Sequence, residues 1–161
     1  MSTTATKENK TSAGKGLDSL EFVRLKIPRL IPRALIESVK GRTFTPEQFY
    51  CYQETQAGNP YNYLYALIDG EKVIHGYLWA ETNILDYTLF VNTFSISKEY
   101  WGKGKAIDKA VAFVRKLQQS TQAPGTLWIT SNAKFFAKHG FKPSKSVLME
   151  YRVETADPPS F

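Results

Sequence analysis

Hydrophobic and polar positions change period several times along the chain, and those changes mark its elements. Met1 to Leu17 is rich in Ser, Thr, Lys and Gly with almost no large apolar side chain, so 1–18 reads as a flexible tail ahead of one domain, 19–161. Leu20 to Lys26 suits a first strand, and Pro28 and Pro32 then break the pattern. Leu35 to Val39 suits a short helix. Thr45-Pro46-Glu47-Gln48 is a strong helix start, with Thr45 as N-cap, Pro46 at the first position and Gln48 closing a capping box. That helix is expected to end before Gly58-Asn59-Pro60. Tyr61–Ile68, Lys72–Glu81 and Tyr87–Ser97 are aromatic and β-prone, with Asp69-Gly70 as a hairpin-turn signal, and together they predict an antiparallel meander. Ile107, Ala110, Val111, Val114 and Leu117 fall on one face at helical spacing, which predicts a helix from Lys105 to about Gln119 packed on a sheet. A short buried strand (Leu127–Thr130), a short helix (Ser131–Lys138) stopped by Gly140, and a last strand (Ser146–Val153) complete the order. The order β-α-α-β-β-β-α-β-α-β has no internal repeat or interior linker and predicts a single α/β domain with a mixed sheet.

Composition narrows the class. With 161 residues, 42% apolar and 14% aromatic, the chain suits one globular core. Cys51 stands alone and no Cys/His spacing fits a metal, so the expectation is a reducing, cytoplasmic setting and no metal. No apolar run is long enough for a bilayer and no signal-peptide hydrophobic region stands at the N-terminus, so no membrane partner is expected. The net charge of +6 is uneven: between Lys98 and Lys145 ten Lys and Arg face only Glu99 and Asp108, and the remainder is slightly negative. That basic half contains the stretch Ser95–Ile107, where a strand runs through a glycine turn into a helix. Gly102 and Gly104 allow the backbone to aim several N–H groups into one concavity, and the helix N-terminus adds positive charge. Such a turn is an anion site suited to a phosphate or pyrophosphate. Nucleic acid is a second reading of the basic half, since Tyr100, Trp101, Phe135 and Phe136 interleave with its lysines, but it ranks last.

Two stretches carry a resemblance. Phe94-Ser95-Ile96 ends a strand, Glu99-Tyr100 follows as an acidic-aromatic step, and Trp101-Gly102-Lys103-Gly104-Lys105-Ala106 comes next. Downstream, Phe136 lies four residues before Gly140-Phe141. With the element order from Leu20 to Val153, these stretches resemble the GCN5-related N-acetyltransferase superfamily. In its signature, (Arg/Gln)-x-x-Gly-x-(Gly/Ala), Trp101 departs from the usual Arg or Gln, and Phe136 stands where the family has tyrosine. The family's upstream asparagine has no clean counterpart, because Asn132 lies too close to Gly140.

The resemblance implies an acyl-CoA N-acyltransferase fold of α/β (α+β) class. Its central sheet would be mixed, mostly antiparallel, with about six to seven strands flanked by four helices. It implies acetyl-coenzyme A as acyl donor, lying between the fourth and fifth strands, and an amine of a small molecule or protein as acceptor. Main-chain groups of Phe94, Ser95 and Ile96 would meet the pantetheine arm, an N–H near Phe94 would polarise the thioester, and the turn Gly102, Lys103, Gly104, Lys105, Ala106 and Ile107 would hold the pyrophosphate. Glu81 is the leading candidate for the base that deprotonates the amine, with Asp86 second; both compete with the ordinary role of a solvated strand-end carboxylate. His75 reads as a packed or edge histidine and His139 as a companion of the helix stop. Phe136 has no proton for the departing thiolate, which leaves water, Ser131 or Tyr100 as acid. The alternative is a weak or inactive domain of this fold binding coenzyme A or a protein partner; a homodimer is compatible with either reading.

Overall fold

The computed structural model describes residues 16–145, 149 and 151. The expected tail lies outside the described residues except at its end. There, Leu17–Ser19 forms a 3-10 turn and Leu17 packs against the cluster of Leu20, Leu67, Ile96 and Ala106. The expected last strand, Ser146–Val153, likewise falls outside them apart from Met149 and Tyr151.

Two compact units divide the chain, one up to Ser131 and one from Asn132. In the first unit the five strands β1 (Glu21–Arg24), β2 (Asn62–Ile68), β3 (Ile74–Thr82), β4 (Leu89–Ile96) and β5 (Thr126–Trp128) form one sheet in that order. The pairs from β1 to β4 are antiparallel, and β4 with β5 is parallel. The sheet is therefore mixed and mostly antiparallel, with fewer described strands than expected.

Each face of the sheet buries its own cluster. One face, with Leu78, Ala80, Leu89 and Val91, is covered by the long helix α3 (Lys105–Thr121) through Ala110, Val114 and Leu117. Ala106 is buried at the start of that helix whereas Ile107 is half-buried, which corrects the predicted stripe by one residue. On the other face Leu64 and Tyr77 pack with Leu35 and Ile36 of α1 (Arg33–Glu37) and Phe49 and Tyr50 of α2 (Pro46–Thr55). The capping box of α2 forms as expected: Gln48 N–H donates to Thr45 Oγ1 (3.1 Å) and Thr45 N–H to Gln48 Oε1 (2.8 Å).

The β2–β3 connection differs in detail from its Asp69-Gly70 signal. The residue with positive φ is Lys72 (64°), and Asp69 organises the loop by accepting from Glu71 N–H (2.9 Å) and Val73 N–H (3.0 Å). A short polar side chain that binds the backbone two residues on does here what glycine does in tighter turns.

The second unit contains α4 (Ala133–Lys138). Its end is a Schellman stop: Phe141 N–H donates to Phe136 O (3.1 Å), Gly140 N–H to Ala137 O (3.1 Å), and Gly140 takes φ 85°. The rings of Phe136 and Phe141 meet edge to face at 5.3 Å, the apolar contact that accompanies this motif. The spacing of Phe136, Gly140 and Phe141 thus has a local structural cause.

Candidate functional site

The β4 backbone offers the first feature. Its register with β3 pairs Tyr77 with Ser95 and Gly76 with Ile96, and Ser97 N–H donates to His75 O (2.8 Å). Because antiparallel residues alternate in the direction of their main-chain groups, Ser95 faces β3 while Phe94 and Ile96 direct N–H and C=O to the opposite edge. On that edge β5 pairs only with Leu89, Phe90 and Val91. Among the described residues, Asn92 to Ile96 therefore have no strand partner there. The indole N–H of Trp101 donates to the outward carbonyl of Ile96 (2.8 Å). Ser95 is turned inward by side chain as well as main chain. It is buried, donates to Leu35 O (2.7 Å) and lies 3.0 Å from Ser38 Oγ.

The turn that follows runs through three consecutive residues of positive φ: Gly102 (133°), Lys103 (55°) and Gly104 (70°). The sequence anticipates this freedom at the two glycines. It does not anticipate it at Lys103, whose left-handed backbone costs about 1 kcal/mol or more. Gly104 is the N-cap of α3 and supplies no side chain, so the N–H groups of Ala106 and Ile107 at the first turn have no intrahelical acceptor. A Cβ built at Gly102 meets nothing within 4 Å, so the space before the turn is open. Charge and donor supply at such a place suit an anion, with Lys103 and Lys105 exposed beside it.

The second feature is a cleft of about 280 Å³ lined by Glu81, Thr82, Asn83, Asp86, Thr88, Phe90 and Leu127. It brings the two candidate carboxylates to one place. Half-buried Glu81 is held on both oxygens: Tyr52 Oη donates to Oε2 (2.9 Å) and Asn92 Nδ2 to Oε1 (2.8 Å). Asp86 folds its own loop, accepting on Oδ1 from Thr88 N–H (2.9 Å). Burial, and then the hydrogen bond to Glu81, push the Tyr52 phenol up to about 12, so it remains a proton donor at any ordinary pH.

Tyr52 and Asn92 are missing from the sequence-derived set, and their positions explain why. Tyr52 reaches Glu81 because α2 is seated on the sheet by Phe49 and Trp79, with the Tyr52 and Trp79 rings 5.3 Å apart. Trp79 is fixed in turn by its indole N–H donating to Asn62 Oδ1 (2.9 Å), and Asn62 Nδ2 donates to buried Gln53 Oε1 (2.9 Å). Asn92 occupies the register shift between Trp79 and Ala80, the extra residue of a β-bulge. The capping box of α2 was a signal for where its first turn begins. Nothing in the sequence signalled the bulge.

His75 lies at the other end of β3, six residues and roughly 20 Å along the strand from Glu81. It is mostly buried, with Nε2 2.8 Å from Asp69 Oδ2, Nδ1 3.4 Å from Glu99 Oε1, and the Tyr100 ring edge-on. The packed role expected for it is the one it takes, and Tyr100 is engaged with it there. No group of three His, Cys, Asp or Glu among the described residues is arranged to hold a metal, and no helix among them is long and apolar enough to cross a membrane.

No family model and no curated protein matches the chain by sequence. Solved structures do match by shape. An aminoglycoside N-acetyltransferase crystallised with coenzyme A is 13% identical over 84% of this chain and 95% of its own, with a TM-score of 0.62. Glucosamine-6-phosphate N-acetyltransferase from Arabidopsis thaliana is 17% identical over 82% and 97%, at 0.57. A transcriptional regulator from Bacillus halodurans C-125 is 16% identical over 83% and 99%, at 0.63.

Proposed function

We propose that this chain, which has the fold of solved N-acetyltransferases, is a divergent member of the GCN5-related superfamily and transfers acetyl from acetyl-coenzyme A to an amine. The observation that carries the proposal is the continuity between the edge of β4 left unpaired among the described residues and the positive-φ turn at Gly102–Gly104. An extended pantetheine arm would pair with the outward main-chain groups at Phe94 in the manner of an added strand. The pyrophosphate would then meet the amides of the turn and the first helical residues up to Ile107. Ile96 contributes its N–H, since its carbonyl already accepts from Trp101.

The acceptor amine enters the cleft beside Glu81, whose charge with that of Asp86 favours a cationic substrate. Glu81 takes the ammonium proton, directly or through one water, and the free amine attacks the thioester carbonyl. Negative charge on the carbonyl oxygen is stabilised by the N–H of Phe94, the attacking nitrogen gives its second proton to water as the C–S bond breaks, and water returns a proton to the coenzyme A thiolate. Phe136 lacks a hydroxyl for that last transfer. A second reading, a domain that binds coenzyme A without turnover, rests on that residue.

Release of coenzyme A thiol from acetyl-coenzyme A, measured against a panel of amines, tests the proposal. Amine-dependent release is expected; binding without release would favour the second reading. Gly104→Glu sets a carboxylate where phosphate oxygens would lie, and the folded variant is expected to lose at least 100-fold in coenzyme A affinity by calorimetry. Wild-type affinity in that variant would remove the turn from the donor site.

A further inference from the structure

We infer that Tyr52 and Asn92 are positioning residues, a two-donor clamp that fixes the Glu81 carboxylate in the rotamer that faces the acceptor cleft. The inference rests on the acetyl-transfer reading for its catalytic meaning and on geometry for the clamp itself.

Three elements converge on one side chain. Tyr52 comes from α2, Asn92 from the bulge in β4, and Glu81 from the end of β3. Each carboxylate oxygen receives one neutral donor, at 2.9 Å from Tyr52 and 2.8 Å from Asn92. A carboxylate has about four acceptor positions, so the clamp occupies half and leaves a free lone pair on each oxygen. Glu81 lines the cleft, where those lone pairs can meet an ammonium group.

Both partners remain donors, since Asn has no acidic proton to lose in this range and the Tyr52 phenol titrates at about 12. The clamp therefore keeps the Glu81 side chain in one rotamer on the cleft wall. An unclamped glutamate at this strand end would turn to solvent, the ordinary fate of such residues.

For Tyr52→Phe, the Glu81 side chain, followed by its χ1 and χ2 scalar couplings in NMR, is expected to pass from one rotamer to an average over several. The kcat for the amine should fall about 10-fold or more, since misplacing a reacting group is costly. Coenzyme A affinity should stay within twofold. Asn92→Ser, on a different element, is expected to give the same signature, which protects the test against misfolding of either variant. A fall in kcat with the Glu81 couplings unchanged in both variants would overturn the clamp. Wild-type protein that binds coenzyme A yet acetylates no amine would instead refute the parent reading, and the NMR couplings would still decide the clamp.

Discussion

At the scale of single residues, main-chain proximity governs what each position tolerates. Gly76 on β3 lies against β4 so closely that a Cβ there would stand 2.6 Å from Ser95 O and 3.2 Å from Ile96 Cα, both backbone atoms that cannot turn aside. Gly76→Ala is expected to cost about 1–3 kcal/mol, read as a fall in Tm of roughly 3–10 °C. On the acetyl-transfer reading it should also weaken coenzyme A binding, because the displaced Ile96 directs its N–H to the outward edge of β4. Residues whose chemistry is intrinsic were legible in the sequence: the glycines that admit left-handed backbone, and Glu81 as a carboxylate ending a strand. Ser95 was legible only as part of a segment, and alternation assigns its groups to β3 and α1. Tyr52 and Asn92 were hidden because each acts through a neighbour that only the register between elements supplies.

At the scale of elements, local signals and tertiary seating divide the work. The capping box at Thr45 and Gln48 supports α2 from within. Thr45→Ala is expected to destabilise by about 1 kcal/mol, measured by urea denaturation. Because α2 carries Tyr52, the same change should loosen the Glu81 contact and lower activity more than stability alone predicts. Element order was legible throughout the described residues, since period, caps and turn residues are local properties. Boundaries were less so. β5 is Thr126–Trp128 where Leu127–Thr130 was expected: its pairing stops opposite Val91, although β4 runs on to Ile96, and the next residue of β4 is the bulged Asn92. The bulge at Asn92 is a property of a pair of strands, and a single chain segment carries no trace of it.

At the scale of the molecule, charge sets the limits of stability. The hydrogen bond from His75, then that from the Val73 backbone, holds the Asp69 carboxyl below its ordinary value; Arg33 and then Arg29 do the same for Glu47. Carboxylates with depressed folded-state values stabilise above the unfolded value near 4 and lose that contribution as pH falls through the folded value. At the other end, burial raises the phenols of Tyr50, Tyr77 and Tyr100, and Tyr52 reaches about 12. Their contribution is complete below the unfolded value near 10 and lost as pH rises above it. Tm should therefore be nearly flat between pH 5 and 9 and fall on both sides, a profile measurable by calorimetry. Mixed-sheet architecture was legible from the order of elements, whereas the position of the cleft depends on how the β3–β4 loop folds over Phe90 and Leu127. The stretch of β4 that is unpaired among the described residues has one more consequence. At a sheet's outer rim such a stretch would template pairing with other molecules and favour aggregation. Here it begins where β5 leaves off, and on the acetyl-transfer reading the amides of the donor would be what shields it from another strand.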